Sequence, residues 1–132
     1  MILGIGVDIV NIKRIEKVIN SFGDKFLKRC FSDNEILKYR NKNPLNFISG
    51  IAKLFAVKEA FVKALGTGFN LGVTFKNLEV LSDEFGKPFI KVFGYALEQV
   101  KKKSLNYENI KYHVSISDDY PTAVAFVVIE CY

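Results

Sequence analysis

The chain opens on an apolar, β-branched run at residues 2–9 that contains Gly4 and Gly6, the pattern of a buried strand along which backbone or ligand approaches closely, with Asp8 near its end. From Asn11 the period changes. Ile12, Ile15, Val18, Ile19 and Phe22 recur at helical spacing, Lys13, Arg14 and Lys17 take the other side, and Gly23 stops the segment. Ser32-Asp33-Asn34-Glu35 puts a capping serine three residues before a glutamate and predicts a helix to about Arg40, followed by a polar break at residues 41–44. Two short helices are therefore expected before a central one. Phe47, Ile48, Ile51, Ala52, Phe55, Ala56, Val62 and Leu65 form the stripe of that central helix, and Gly66 and Gly68 end it.

Residues 77–82 and 89–92 read as short strands around Asp83-Glu84-Phe85-Gly86-Lys87-Pro88, a hairpin. Residues 95–103 read as a helix ending in three lysines, where positive charge suits the negative end of the helix dipole. Residues 110–117 and 122–129 are rich in valine and isoleucine and flank Asp118-Asp119-Tyr120-Pro121, a second hairpin. The pattern is α+β in a single small domain spanning residues 1–132, with no repeat and no linker, and it leaves the partner of the first strand open.

Composition narrows the class. A chain of 132 residues with 49% hydrophobic and 25% charged residues builds one core and is not a disordered tail. Nineteen basic against 14 acidic residues give a net charge of +5, gathered partly in Lys13, Arg14, Lys17, Lys25, Lys28 and Arg29, so an acidic partner is expected. Cys30, Cys131 and a lone His113 form neither a zinc motif nor a disulfide framework, and reduced thiols are the default. The start lacks a basic leader and no run reaches the roughly 20 apolar residues of a membrane span, which leads us to expect a soluble cytoplasmic protein without membrane association.

Chemistry concentrates on the central helix. Glu59 and Lys63 are four residues apart, hence on one face; a helix ion pair is the simpler reading and a metal and phosphate site the sharper one. Magnesium is commonly held by one or two carboxylates while substrate phosphates and waters complete the shell, and Asp8 and Glu59 are the candidates. Both fall in apolar elements, where an unaccompanied carboxylate is costly; for Asp8, a strand-end residue accepting from backbone amides is the alternative. Other sites fail on spacing. Gly4-x-Gly6 lacks its third glycine and lies inside a strand, no glycine-rich loop ends in Gly-Lys-Ser or Gly-Lys-Thr, and His113 stands in a strand with no serine paired to it.

Taken together, four motifs resemble the holo-(acyl carrier protein) synthases, the small bacterial 4'-phosphopantetheinyl transferases. They are Gly4-Ile5-Gly6-Val7-Asp8-Ile9-Val10 with Arg14-Ile15, the run from Phe55-Ala56-Val57-Lys58-Glu59-Ala60 through Lys63-Ala64-Leu65-Gly66-Thr67-Gly68, Gly86-Lys87-Pro88, and His113-Val114-Ser115-Ile116-Ser117. They stand in order along nearly the whole chain. The resemblance implies the α+β fold of the 4'-phosphopantetheinyl transferase type and transfer of the phosphopantetheine arm of coenzyme A to a serine of apo acyl carrier protein. It further implies magnesium dependence, release of adenosine 3',5'-bisphosphate and a place in fatty acid biosynthesis.

Carried over residue by residue, it makes Asp8 and Glu59 metal ligands and Lys63 the group that steadies developing phosphate charge, with a general-base role also open to Glu59. Lys63, Gly66, Gly68, Pro88, His113 and Ser115 become coenzyme-binding positions, and Arg14, Lys25 and Arg29 the docking surface for an acidic carrier. Leu54 departs from the family, which often has arginine there for the coenzyme's 3'-phosphate, with Lys53 or Lys42 as the compensating groups. Asp118 occupies a position where some members have histidine and others aspartate, and its role stays open. The resemblance also implies a homotrimer with sites shared between subunits. Two other classes fit the residues less well. A basic RNA-binding module is disfavoured because the aromatic residues take core spacing, and a non-catalytic coenzyme-binding protein because Asp8, Glu59 and Lys63 are all retained.

Overall fold

The computed structural model describes residues 1–104 and 107–132. Its elements are β1 (Ile2–Asn11), α1 (Ile12–Phe22), α2 (Asp24–Cys30), α3 (Asp33–Arg40), α4 (Pro44–Leu65), a 3-10 turn (Phe75–Asn77), β2 (Leu78–Ser82), β3 (Pro88–Val92), α5 (Gly94–Lys103), a second 3-10 turn (Tyr107–Asn109), β4 (Ile110–Asp119) and β5 (Thr122–Cys131). β1, β5 and β4 form an antiparallel sheet in that order, and β2 pairs with β3 in a separate antiparallel hairpin. The first strand is thus joined to the last hairpin.

Local chemistry sets the helix ends. Asn11 caps α1 by accepting from the Lys13 N–H at 2.9 Å. Ser32 and Glu35 form the expected capping box at α3. Asn43 accepts from Asn46 N–H in front of Pro44, so α4 begins inside the stretch expected to be a break and runs 22 residues. Gly66 ends it at φ +83°, in the left-handed region that favours glycine, donating back to Val62 and Lys63 carbonyls.

α4 lies across the inner face of the β1-β5-β4 sheet, with Ala56, Ala60, Phe61 and Ala64 buried against Ala123, Ala125, Val127 and Ile129 or their surroundings in one core. Contact with β1 is closest at its two glycines. A Cβ added to Gly4 would stand 1.8 Å from the Ala64 carbonyl oxygen, and one on Gly6 1.9 Å from that of Ala60. The approach inferred from these glycines is therefore made by helix backbone.

The structure departs from the sequence pattern at α2 and at β1. α2 is a third helix before α4 where two are expected: at seven residues it is too short to display a period, and Leu27 and Cys30 hold it by burial in the core. β1 is buried on one face only, since Ile5, Val7 and Ile9 point away from α4 and Ile9 is 71% exposed. Leu54, the departure from the family's arginine, is a core residue at 2% exposure.

Lys58 is wholly buried as well. It donates to Glu35 Oε1 at 2.8 Å, to the Cys30 carbonyl at 2.7 Å and to the Phe75 carbonyl at 3.1 Å, which accounts for all three ammonium hydrogens. Glu35 in turn accepts from Ser32 N–H at 2.8 Å and from Val80 N–H at 2.9 Å. Burial pushes the Lys58 ammonium below the ordinary lysine value, opposed by the carboxylate beside it.

Gly6→Ala tests the helix–strand contact. The added methyl must drive α4 off β1, so urea unfolding should show a loss of about 1–3 kcal/mol or more, the usual range for overpacking a core. A loss below about 0.5 kcal/mol would mean that the contact is looser than described.

Candidate active site

Because Gly4, Gly6 and Asp8 alternate along a strand, Asp8 shares the face of β1 on which α4 rests. Glu59 and Lys63 each precede an alanine of the contact line, Ala60 and Ala64, and so flank it one residue round the helix. Asp8 Oδ1 accepts from Lys63 Nζ at 3.0 Å, and the same ammonium donates to the Val7 carbonyl at 3.1 Å. Lys63 is bonded to the strand, which replaces the Glu59–Lys63 helix pair considered from spacing.

Asp8, Glu59 and Lys63 line a cleft of about 430 Å³ together with Ile9, Val10, Arg14, Ile15, Val18, Phe26 and Phe55. Burial raises the Glu59 carboxyl above its ordinary value, the Asp8 charge raises it further, and Lys63 partly opposes both. Two carboxylates thus share one half-buried place with a single ammonium that is bonded to only one of them. Hard oxygen donors in that state suit a divalent cation. Among the described residues no group of three or more His, Cys, Asp or Glu gathers, so such an ion would take its remaining ligands from substrate and water.

The other expected site residues divide. Arg14 reaches the cleft from α1. Lys25 and Arg29 lie on α2, and Arg29 borders an adjoining groove with Phe26 and Phe55. Gly66 and Gly68 follow α4 in the loop, where the Gly68 N–H donates to the Val62 carbonyl at 3.3 Å. Pro88 and Ser115 line a second cleft of about 320 Å³ with Lys38, Lys53, Ser82 and Asp118. His113 faces a third, beside Pro88, and its Nε2 lies 2.7 Å from Glu130 Oε2. Within one chain, then, Pro88, His113 and Ser115 do not join Asp8 and Glu59.

Two groups in these clefts escaped the sequence. Phe26 enters the first because α2 turns it inward, a position that no period of so short a helix reveals. Lys38 enters the second from the last turn of α3, and no motif in the sequence singles it out. Burial and the charges of Lys53 and Lys42 lower its pKa, and it donates to the Ser82 hydroxyl. Lys53, weighed for the 3'-phosphate, is in this cleft 3.5 Å from Asp118, whereas Lys42 is exposed on another surface beside Arg40.

This fold with paired carboxylates between β1 and the long helix is that of a small transferase, and the chain belongs to the 4'-phosphopantetheinyl transferase superfamily, whose pattern matches residues 4–125. A holo-[acyl-carrier-protein] synthase of Blochmanniella pennsylvanica is 44% identical over 131 residues, covering 98% of this chain and 99% of that one. The solved holo-[acyl-carrier-protein] synthase of Helicobacter pylori in complex with coenzyme A is 35% identical, covers 96% of this chain and 99% of its own, and superposes with a TM-score of 0.79. That of Bacillus anthracis, in complex with CoA (3',5'-ADP), is 35% identical over 100% and 99% of the two chains with a TM-score of 0.81.

Without divalent metal, Glu59→Gln should melt at a higher temperature than the parent at pH 7. The sign follows from the raised carboxyl: its stabilising contribution is complete below the unfolded value of 4.5 and is lost as pH rises through the higher folded value. The difference should therefore shrink toward pH 4. Thermal melts in chelator across that range check it, and a variant that melts lower at pH 7 would contradict it.

Proposed function

We propose that this chain transfers the 4'-phosphopantetheine group of coenzyme A to a serine of apo acyl carrier protein, with the chemistry at Asp8, Glu59 and Lys63. The observation that carries the reading is the cleft in which the Asp8 and Glu59 carboxylates lie together with Lys63 bonded to Asp8. Membership of the superfamily and the synthases named above support it.

Asp8 and Glu59 would hold magnesium, which, when bound, supplies positive charge to the coenzyme's pyrophosphate. Lys63, fixed by Asp8 and the Val7 carbonyl, offers its remaining N–H to the phosphate oxygens as negative charge builds on them. The carrier serine oxygen attacks the β-phosphorus, the bond to the bridging oxygen breaks, and adenosine 3',5'-bisphosphate leaves. Glu59 is also the acceptor for the serine proton, directly or through a water. Arg14, Lys25 and Arg29 present positive charge beside the cleft to an acidic carrier. Gly66 and Gly68 let the loop backbone pass near the coenzyme, and Lys53 with Lys38 meets its 3'-phosphate in place of arginine at position 54.

A homotrimer accounts for the remaining residues. The outer face of the sheet carries Ile5, Val7, Ile9 and Phe126, between 43% and 71% exposed, a continuous apolar surface of the kind that marks an interface. His113 and Ser115 pair with Val128 and Phe126 on that same face. A neighbouring copy seated there brings Pro88, His113 and Ser115 toward a cleft that they do not reach in their own chain. No described helix is long and apolar enough to cross a membrane, and we assign the work to the cytoplasm, in fatty acid biosynthesis.

Incubation with apo carrier, coenzyme A and magnesium should add a phosphopantetheine mass to the carrier, read by mass spectrometry, and chelator should stop it. Glu59→Gln and Lys63→Ala should each lower the rate by about 10²-fold or more. A carrier left unmodified by the parent protein overturns the reading, and full activity in either variant removes that residue from the mechanism.

A further inference from the structure

We propose that Lys58 is a positioning residue for the transfer, tying the helix that docks the carrier to the helix that bears Glu59. The inference rests on the functional reading above, and on α2 as part of the docking surface. α2 carries Lys25 and Arg29 outward and Phe26 into the cleft, so its angle to α4 decides where a docked serine stands relative to Glu59. Leu27 and Cys30 bury the inner side of α2, but apolar contacts set a direction only loosely.

Direction comes from hydrogen bonds. Cys30 is the last residue of α2, its carbonyl is one of the helix-end acceptors without an intrahelical donor, and Lys58 Nζ donates to it at 2.7 Å. The same ammonium lies 5.1 Å from the centre of the Phe31 ring, the residue that caps α2. Glu35 and the Phe75 carbonyl hold the ammonium from the other sides, so it has no freedom to follow a shift of α2. Lys58 immediately precedes Glu59 on a helix whose far side is locked against β1. The docking helix and the carboxylate therefore share one anchor, reached through a side chain that touches no substrate.

Lys58→Met with Glu35→Gln tests this. The pair is neutral, so no buried charge is stranded; the glutamine oxygen can keep the Ser32 N–H of the capping box, while the Val80 N–H gives up its acceptor. With circular dichroism matching the parent, KM for the carrier should rise about tenfold while coenzyme affinity, measured by calorimetry, changes less than twofold. Arg29→Ala should then raise the carrier KM by a smaller factor in that background than in the parent, because the two changes act through one helix. If the double variant does not fold, Lys58→Gln with Glu35→Gln, one bond shorter and able to hydrogen-bond, takes its place in the same comparison. An unchanged carrier KM, or equal losses toward carrier and coenzyme, overturns the proposal; a parent protein that modifies no carrier sinks the functional reading instead.

Discussion

Gly4 and Gly6 carry no side chain, so α4 settles with the carbonyls of Ala60 and Ala64 directly against the β1 backbone. The rest of the site follows from that separation. Asp8 is the next inward position on the strand after Gly6, while Glu59 and Lys63 are the helix residues beside the two contacting alanines. Any larger residue at 4 or 6 would widen the gap and carry both charges away from Asp8. Close packing of backbone on backbone thus does the work of assembling three charged side chains from elements some fifty residues apart in sequence.

That assembly is costly to the protein on its own. Two carboxylates and one ammonium in a half-buried cleft leave Glu59 with a raised pKa, and folding must supply the difference. The fold secures the arrangement with a second set of charges nearby, fully paired: Lys58 and Glu35 meet every hydrogen-bonding demand that they bring into the core. Adjacent residues on α4 therefore serve opposite ends. Lys58 is satisfied and fixed, and Glu59 keeps a carboxyl raised by burial and by the Asp8 charge.

Much of this was legible in the residues. Both hairpins, the capping box at Ser32, the glycine stop at Gly66 and the fold class follow from local rules that the structure obeys. The pairing of Asp8 with Lys63, the depth of Lys58 and the inward turn of Phe26 do not, because each depends on contacts between segments far apart in the chain. Lys58 and Glu59 are indistinguishable as neighbouring charges on a helix; only the burial of one side of α4 under α2 and α3 separates them. β1 was misread for the same kind of reason, since an apolar run gives no sign of which face its own fold covers.

The proposed site rests on Asp8 and Glu59 holding one divalent ion between them. Crystals grown with coenzyme A and manganese in place of magnesium, measured at the manganese absorption edge, test it most directly. One anomalous peak is expected at coordination distance, about 2.0–2.3 Å, from an oxygen of each carboxylate, with the coenzyme's pyrophosphate completing the shell. A peak bound to one carboxylate alone, or placed outside this cleft, would contradict it.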